Sequence, residues 1–492
     1  MKLLTPLLLL LSLTAAIDLN IDDKASIKAA AARMAAKLRE LYPRGQPWFN
    51  PGEFGILPST TGKNIGYYWW EGGAAMGAWI DYWFITKDDQ YNAIVTEALL
   101  HQVGPDNDYQ PPNQTLSLGN DDQAFWGIAV LAAAEKGYPD PPPDKPQWLA
   151  LAQAVFNRQV VRWDTEFCGG GLRWQVFRSN QGYNYKNSIS NGLLFQIGAR
   201  LARYTGNQTY ADLAKRTYDW QKTIGLTNTT NYYVYDGAHV PDCVVTSKVQ
   251  WSYNAGTLLA GAAAMYDYYS ADLLNPPLTA QATLGNQPSM DFWQNETMNL
   301  LRGIDMPFFN MNDGLPNIMR ESGCESSPRD NFARPPTCNI DQRSFKAYLS
   351  RFMGYTHQLC PFTRDYIMAR LRPSAIAAAK ACTGQPGGDT CGLSWLMGKY
   401  DGAPYGVVVG GVGEHMATME LFQTLLIGDA APLKTMKTGT SKGDPAAGTG
   451  SGTVGDLRQT GPTTVGDRAG AGILTVVTAV GIVALSAWLV WP

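Results

Sequence analysis

The chain has 492 residues and a formal net charge of −3, from 39 Lys and Arg against 42 Asp and Glu. Because no basic excess is available to hold a phosphate backbone, the composition argues against a nucleic-acid partner. Only 16% of the residues are charged and 11% are aromatic. A surface poor in charge and rich in Trp and Tyr suits neutral ligands with apolar faces, such as sugars.

The amino terminus predicts secretion. One Lys is followed by an apolar run from Leu7 to Leu13 and by the small residues Ala15 and Ala16. This pattern is typical of a signal peptide over residues 1–16 that is cleaved after Ala16. The apolar run is too short to span a bilayer, which argues against a retained membrane anchor.

The carboxyl terminus predicts a lipid anchor. Residues 473–491 carry no charge and only Pro492 follows, so no Lys or Arg remains for the cytosolic side of a spanning helix. Residues 437–471 are rich in Gly, Ser, Thr and Pro, and we expect an unstructured linker there. With the apolar tail over 472–492, this linker has the pattern of a glycosylphosphatidylinositol (GPI) signal, although the attachment residue stays open. A retained single span is the alternative.

Helical periodicity dominates between residues 20 and 430. It predicts twelve helices, over residues 22–41, 67–86, 88–102, 121–136, 146–162, 187–204, 208–223, 251–269, 290–302, 343–357, 362–381 and 413–427. Strand patterns are few, and the best cover Tyr232–Val234 and Gly406–Val409.

The predicted helices alternate in character. The first, third, fifth and seventh carry charges, whereas the second, fourth, sixth and eighth are rich in Gly, Ala and aromatic residues on nearly every face. A helix that is apolar all round is buried all round. We therefore expect an all-α (α/α)6 toroid over residues 17–436, a double ring of six inner and six outer helices. A helical solenoid is the alternative, but the sequence has no fixed period to support it.

Secretion permits disulfides, and the chain has 7 Cys. Three candidate pairs leave Cys360 over, and they are Cys168 with Cys243, Cys324 with Cys338, and Cys382 with Cys391. Sequence alone does not fix this connectivity. Four sequons fit a secreted surface, at Asn113, Asn207, Asn228 and Asn295. No CxxC pair or His/Cys cluster predicts a metal site, and we expect no cofactor.

Polar and aromatic residues cluster at the starts of the predicted buried helices. The clusters are residues 67–70, 120–123, 183–188 and 251–254. All inner helices of such a ring point the same way, so their N-terminal ends meet at one mouth. The sequence therefore predicts that these dispersed clusters form one cleft.

Asp121 and Asp122 are the candidate reactive groups of this cleft. Their simplest interpretation is capping of the helix that follows, because acids suit a helix N-terminus. That helix is almost wholly apolar, however, so we expect these carboxylates to be the only charges that enter a buried layer. Glycoside cleavage needs such a pair, and their mutual repulsion would keep one of them protonated.

Other cleft candidates have equally simple structural interpretations. Asn187 and Asn191 are four residues apart on one helix face, where they can recognise hydroxyl groups or form a network between helices. Asp236 fits a turn and could also supply a carboxylate. The Trp residues of the clusters are more often core than sugar platforms.

Five motifs then follow one another along roughly residues 20–430. They are Asn120-Asp-Asp-Gln-Ala-Phe-Trp, Lys186-Asn-Ser-Ile-Ser-Asn-Gly, Tyr235-Asp-Gly, Trp251-Ser-Tyr-Asn-Ala-Gly and Phe345-Lys-Ala-Tyr. This ordered set resembles glycoside hydrolase family 76, the mannan endo-1,6-α-mannosidases. The signal peptide, the GPI-type tail and residues 67–70 are similar to its fungal cell-wall branch.

The resemblance implies an (α/α)6 fold and a retaining glycosidase, with Asp121 as nucleophile and Asp122 as general acid/base. It implies α-1,6-linked mannosides as substrates. In the fungal branch it also implies processing of the GPI mannose core, which would cross-link wall proteins to β-glucan. The substrate-binding residues we expect are Tyr67, Trp69, Trp70, Asn120, Trp126, Tyr183, Asn184, Lys186, Asn187, Asn191, Asp236, Trp251, Tyr253 and Asn254.

The expected protein is a monomer at the outer face of the plasma membrane and in the cell wall. Its partners would be an α-1,6-mannoside or GPI-core donor and a β-glucan acceptor. The sequence leaves open whether water or a sugar is the preferred acceptor. One alternative is a non-catalytic glycan-binding wall protein on the same fold. A polysaccharide lyase is another, but it would need a basic cleft that the sequence lacks.

Overall fold

The computed structural model describes residues 16–57, 65–274, 280–309, 317–325, 332, 336–384, 387–402 and 411–449, without the side chains of 56, 57, 65 and 271–288. The predicted signal peptide up to residue 15, the tail over 472–492 and the predicted strand Gly406–Val409 lie outside these residues. Among the described helices, none combines the length and apolar character needed to cross a bilayer.

Twelve α-helices run through the described residues, each at a position predicted from the sequence. They are α1 Lys24–Leu41, α2 Trp69–Thr86, α3 Asn92–His101, α4 Asn120–Lys136, α5 Trp148–Val161, α6 Ser188–Thr205, α7 Gln208–Thr223, α8 Ser252–Leu274, α9 Ala280–Phe308, α10 Phe345–Leu359, α11 Arg364–Ala381 and α12 Val412–Thr424. The largest difference from prediction is at α9, which begins ten residues earlier than 290.

The even-numbered helices form a closed inner ring. Each of them contacts the next, and α12 contacts α2. The odd-numbered helices pack outside this ring, α1 against α12, α3 against α2, α5 against α4, α7 against α6, α9 against α8, and α11 against α10 and α12. The structure is therefore the expected (α/α)6 toroid.

Small residues allow the inner helices to approach one another closely. In α2, a β-carbon at Gly73 would lie 2.8 Å from the indole ring of Trp126 in α4. Trp126 is itself stacked between Trp69 at 5.2 Å and Tyr109 at 5.5 Å between ring centroids. Large aromatic residues thus fill the space that the glycines leave, and this packing fixes the start of α2 against α4.

The C-terminal halves of the inner helices carry buried ion pairs, which corrects one expectation. In α4, Glu135 pairs with Arg200 at 2.6 Å and Lys136 pairs with Asp81. Asp121 and Asp122 are therefore not the only charges of this helix inside the molecule. Burial of the additional charges is compensated because each has a partner of opposite sign.

Within the described ranges, seven short strands accompany the helices, namely β1 Ile56–Leu57, β2 Ile65–Gly66, β3 Tyr185–Asn187, β4 Gly237–His239, β5 Val245–Ser247, β6 Cys382–Gly384 and β7 Thr390–Cys391. β3, β4 and β5 form an antiparallel sheet in that order, with Asn187 opposite Gly237. The predicted strand Tyr232–Val234 is wrong, because Val234 forms only an isolated bridge with Thr227.

The chain beyond α12 is ordered further than predicted. Residues 441–449 pack along α5, where Asn157 donates to the carbonyls of Pro445 and Ala447 at 3.0 and 2.8 Å. The hydroxyl of Ser441 accepts from the backbone N–H of Leu149 at 3.0 Å. The expectation that the unstructured linker begins at residue 437 is therefore wrong for residues 441–449, because side chains and backbone of α5 form hydrogen bonds with this segment.

All three expected disulfides are present, and Cys360 is a buried free thiol. They join Cys168 to Cys243, Cys324 to Cys338 and Cys382 to Cys391. Of the four sequon asparagines, Asn113, Asn207 and Asn295 are exposed and Asn228 is partly buried.

Candidate active site

Two adjoining cavities lie where the N-terminal ends of the inner helices meet. The inner cavity has a volume of about 170 Å³ and is lined by Trp70, Asp121, Asp122, Phe125, Trp174, Tyr185, Asn187, Asp236, Tyr253, Asp341 and Phe345. The outer cavity measures about 430 Å³, and four residues line both cavities, namely Trp70, Asp122, Trp174 and Asp341. The clusters that are dispersed in sequence therefore do form one cleft, as predicted.

The two predicted carboxylates occupy the first turn of α4. The helix begins at Asn120, and the backbone N–H of Gly119 donates to Oδ2 of Asp122 at 2.7 Å. A β-carbon at Gly119 would collide with Oδ1 of Asp121 and come within 3.1 Å of Oδ2 of Asp122. Glycine leaves room here for both carboxylates, which fold back over the residue that precedes the helix.

Burial dominates the electrostatics of this pair. Oδ1 of Asp121 is buried and accepts no hydrogen bond from the described residues. Burial raises the pKa of Asp121, and burial together with the charge of Asp121 raises the pKa of Asp122 further. Among the described residues that line the two cavities there is no Lys, Arg or His to oppose this rise. The pair can therefore share one proton near neutral pH.

The wall opposite α4 is a loop that carries Trp174. Its backbone N–H donates to the carbonyl of Tyr185 at 2.7 Å, and its carbonyl accepts from the N–H of Asn120 at 2.8 Å. Lys186 donates to three carbonyls of this loop and pairs with Asp164, and Asn191 bonds both backbone groups of Leu172. These two predicted site residues lie behind the cavity, where they fix the loop.

Five predicted binding residues besides the carboxylate pair face the cleft. They are Trp69, Trp70, Asn187, Asp236 and Tyr253. Asp236 accepts a 2.7 Å hydrogen bond from the hydroxyl of Tyr185, and Tyr253 stacks on Phe345 with 3.7 Å between ring centroids. Asn187 caps α6 through its side-chain oxygen, which accepts from Ser190 N–H at 3.2 Å.

The remaining predicted binding residues do not line either cavity. The hydroxyl of Tyr67 accepts from the N–H of Val412 at 3.0 Å, and the side chain of Asn120 bonds Arg162 and the carbonyl of Arg173. Others are packed into the core or lie beside Arg173, namely Trp126, Tyr183, Asn184, Trp251 and Asn254.

Asp341 is the most informative lining residue that the sequence did not predict. It precedes α10, and its Oδ1 accepts a 3.1 Å hydrogen bond from the indole N–H of Trp70. Burial raises the pKa of Asp341 to about 6. Its position just before an inner helix is the signal that could have found it, because the other clusters lie at equivalent points. Trp174 lies outside any helix start and carried no such signal, whereas Tyr185 lies in the predicted cluster 183–188 but is not among the expected binding residues.

Across the described part of the chain, no group of His, Cys, Asp or Glu could hold a metal ion. The cleft instead offers carboxylates, aromatic faces and amide groups, which together suit a neutral sugar and acid–base chemistry on its glycosidic bond.

Comparison with known proteins connects this cleft to a family. The family model described as glycosyl hydrolase family 76 matches residues 26–437. The mannan endo-1,6-alpha-mannosidase DCW1 of Candida glabrata is 44% identical over 100% of both chains. The protein of that name from Saccharomyces cerevisiae is 43% identical over 97% of this chain and 96% of its own.

Solved structures agree with this assignment. Dfg5 from Chaetomium thermophilum, in complex with glucosamine, superposes with a TM-score of 0.77 at 42% identity, covering 88% of this chain and 98% of that one. An inactive alpha-1,6-mannanase variant of Salegentibacter sp. HEL1_6 in complex with alpha-1,6-mannotriose shares the fold at 16% identity and a TM-score of 0.59, over 81% of this chain and 99% of that one. The chain therefore belongs to glycosyl hydrolase family 76, and it is a glycoside hydrolase.

Proposed function

We propose that this enzyme cleaves α-1,6-linked mannosides by a retaining mechanism, with Asp121 as nucleophile and Asp122 as general acid/base. The observation that carries the proposal is the way the pair divides between the cavities. Asp121 lines the inner cavity alone, whereas Asp122 lines both. A nucleophile needs to reach only the anomeric carbon, but an acid must reach the oxygen that joins donor and leaving group.

This division gives the cleft a direction. The donor mannose occupies the inner cavity, with its anomeric carbon facing Asp121. The leaving group, and later the acceptor, occupies the outer cavity. The aromatic residues Trp70 and Trp174 stand on both sides of the boundary, where apolar sugar faces can pack.

The reaction then runs in two steps. The carboxylate of Asp121 attacks the anomeric carbon while the proton of Asp122 passes to the glycosidic oxygen, so the donor becomes covalently bound and the leaving alcohol departs. In the second step Asp122, now ionised, takes a proton from water or from a sugar hydroxyl, whose oxygen displaces Asp121. Burial raises the pKa of both carboxyls, so the pair can hold the proton that the first step requires.

The finer biological assignment rests on the resemblance and on the tail of the chain. We propose that the donor is the mannose core of a GPI anchor and that a β-glucan of the cell wall is the acceptor. The protein would act as a monomer on the outer face of the plasma membrane, held there by its own GPI anchor. The larger size of the outer cavity supports an acceptor longer than one sugar.

Product analysis tests the proposal. The full secreted chain is incubated with α-1,6-mannotriose, with and without a β-glucan oligosaccharide, and the products are identified by mass spectrometry. Mannose and mannobiose without the acceptor indicate hydrolysis, and mannosylated glucan indicates transfer. Asp122→Asn serves as the inactive control. Binding of mannotriose without any product from the wild type would favour a glycan-binding protein instead.

A further inference from the structure

Asp341 stands at the boundary of the two cavities. It is one of the four residues that line both, and Asp122 is another. Trp70 also lines both cavities, and its indole N–H donates to Oδ1 of Asp341 at 3.1 Å. We call the place where Trp70, Asp122 and Asp341 meet the corner. A third carboxylate is thus built into the place where the glycosidic oxygen would lie.

The charge of Asp341 has no counter-ion among the described residues. Its nearest candidate in sequence, Arg343, is engaged in a buried pair with Glu414. From the described part of the chain, the Asp341 carboxylate accepts one side-chain hydrogen bond, and its donor is the neutral indole of Trp70. The negative charge of Asp341 is therefore directed at the cleft rather than neutralised by a partner.

The other titratable groups whose pKa the charge of Asp341 raises come from several helices, and all of them are carboxylic acids or phenols. They are Tyr68 and Glu71 at the start of α2, Asp121 in α4, Tyr253 in α8 and Tyr348 in α10. The charges of Asp121 and Asp341 both raise the pKa of Asp122. Once Asp121 is consumed as a nucleophile, its charge is lost in the covalent intermediate, and Asp341 is the charge that remains.

We propose that Asp341 is a positioning residue whose negative charge keeps the proton on Asp122 and whose carboxylate holds the Trp70 indole at the cavity boundary. This inference rests on the proposed function of Asp122. A like charge close to an acid favours its protonated form. Asp341 would thereby extend activity toward neutral and alkaline pH and would help Asp122 to recover a proton from the incoming acceptor.

The test is the pH profile of Asp341→Asn. The amide removes the charge but keeps an oxygen that can accept from Trp70. Cleavage of α-1,6-mannotriose is followed as kcat/KM between about pH 4 and 9. We expect both limbs of the profile to move to lower pH by about one unit, with kcat/KM at pH 8 reduced roughly tenfold. Asp341→Glu should restore the limbs toward their wild-type positions.

Asp236→Asn is the matched control. Asp236 also lines the inner cavity, but Tyr185 engages it and it is not among the charges that act on Asp122. Its substitution should lower kcat/KM without moving the limbs. Superimposable wild-type and Asp341→Asn profiles would overturn the inference. If Asp341→Asn does not fold by circular dichroism, Asp341→Ser takes its place with the same expected shift.

The outcomes separate the two proposals. A wild type that forms no product at any pH contradicts the proposed function itself. A wild type that turns over mannotriose while Asp341→Asn keeps its limbs contradicts only the role of Asp341. A loss of activity equal at every pH would assign Asp341 to structure alone and would also overturn the inference.

Discussion

The backbone N–H of Gly119 donates a 2.7 Å hydrogen bond to Oδ2 of Asp122, so the residue before α4 directly supports the proposed acid/base. A β-carbon on Gly119 would collide with Asp121 and also lie 3.3 Å from the indole nitrogen of Trp174. The approach of both carboxylates to one backbone position is what brings two consecutive residues of a helix into the same cavity.

Gly119→Ala should therefore impair catalysis rather than folding. Its φ of −90° is open to any residue, but the new methyl group would displace Asp121. We expect kcat/KM to fall by about 100-fold, because a misplacement of about 1 Å costs that much in an oriented site. Gly428→Ala is the control, since its β-carbon would make only an ordinary 3.6 Å contact with His357. A Gly119→Ala enzyme with wild-type kcat/KM would show that the carboxylates do not need this geometry.

Replacing either carboxylate should abolish turnover and leave the fold intact. Asp121→Asn and Asp122→Asn each remove a group that acts in the reaction, and losses on the order of 10⁴-fold or more in kcat are expected. Because burial opposes the charge of both groups, the amides should melt at the same or a higher temperature than the wild type. Mannotriose turnover checks the predicted loss of activity, and thermal melts check the predicted stability. Full activity in either variant would refute the assignment of Asp121 and Asp122 as the catalytic pair.

Stability should rise as the pH falls from 7 to 5. Seven acids have a pKa raised by burial, namely Glu71, Asp121, Asp122, Asp236, Glu321, Asp341 and Asp401. In the unfolded chain these groups titrate near pH 4, so between pH 5 and 7 the folded state binds more protons and is stabilised by acid. The stabilisation is lost as the pH rises through the folded pKa values.

Two buried histidines oppose this trend but do not cancel it. Burial lowers the pKa of His357 to about 4 and also lowers that of His415, so each favours unfolding below about pH 6.5. Seven acids outnumber two histidines, and the melting temperature should increase by several degrees toward pH 5. The double variant Asp121→Asn/Asp341→Asn should flatten the dependence, and an unchanged slope in that variant would contradict the account.

The ion pairs at the far end of the inner ring should matter for stability and not for chemistry. Arg351 in α10 pairs with Asp81 of α2 at 3.0 Å and with Glu420 of α12 at 2.7 Å. Arg351→Met leaves two buried carboxylates without this partner and should cost about 3–5 kcal/mol of unfolding free energy. The control is Lys215→Met, whose half-exposed pair with Asp219 is worth about 0.5 kcal/mol or less. Denaturant titration measures the unfolding free energy of both variants. Equal losses in Arg351→Met and Lys215→Met would contradict the claim that burial makes the Arg351 pairs more important.

The double ring was predictable because its signal is local to each helix. A helix such as α4 has Ala, Gly and aromatic residues on nearly every face, and this pattern indicates directly that the helix is buried. The pair Asp121 and Asp122 was equally visible, since it interrupts that pattern. The ion pairs of Glu135 and Lys136 were missed because their partners come from α6 and α2. Pairing between segments that are distant in sequence produces no recognisable pattern in either segment.

The wall of the cleft was harder to predict for a related reason. Lys186 and Asn191 were correctly placed near the mouth, but their side chains turn to the backbone of the Trp174 loop. Whether a polar group near a cleft faces sugar or backbone depends on where a neighbouring loop needs hydrogen bonds. Asp341 was missed although it precedes an inner helix, because a single Asp in a polar stretch resembles a cap.

Trapping of the covalent intermediate tests the central claim most directly. The intact protein is incubated with a mannoside that carries an activated leaving group and a fluorine at the second carbon, which slows breakdown of the glycosyl-enzyme. The account predicts a stable increase in mass by one fluorinated mannosyl group, mapped by peptide analysis to Asp121 and absent from Asp121→Asn. Release of the leaving group with an adduct on another residue, or no adduct in an enzyme that cleaves mannotriose, would contradict it.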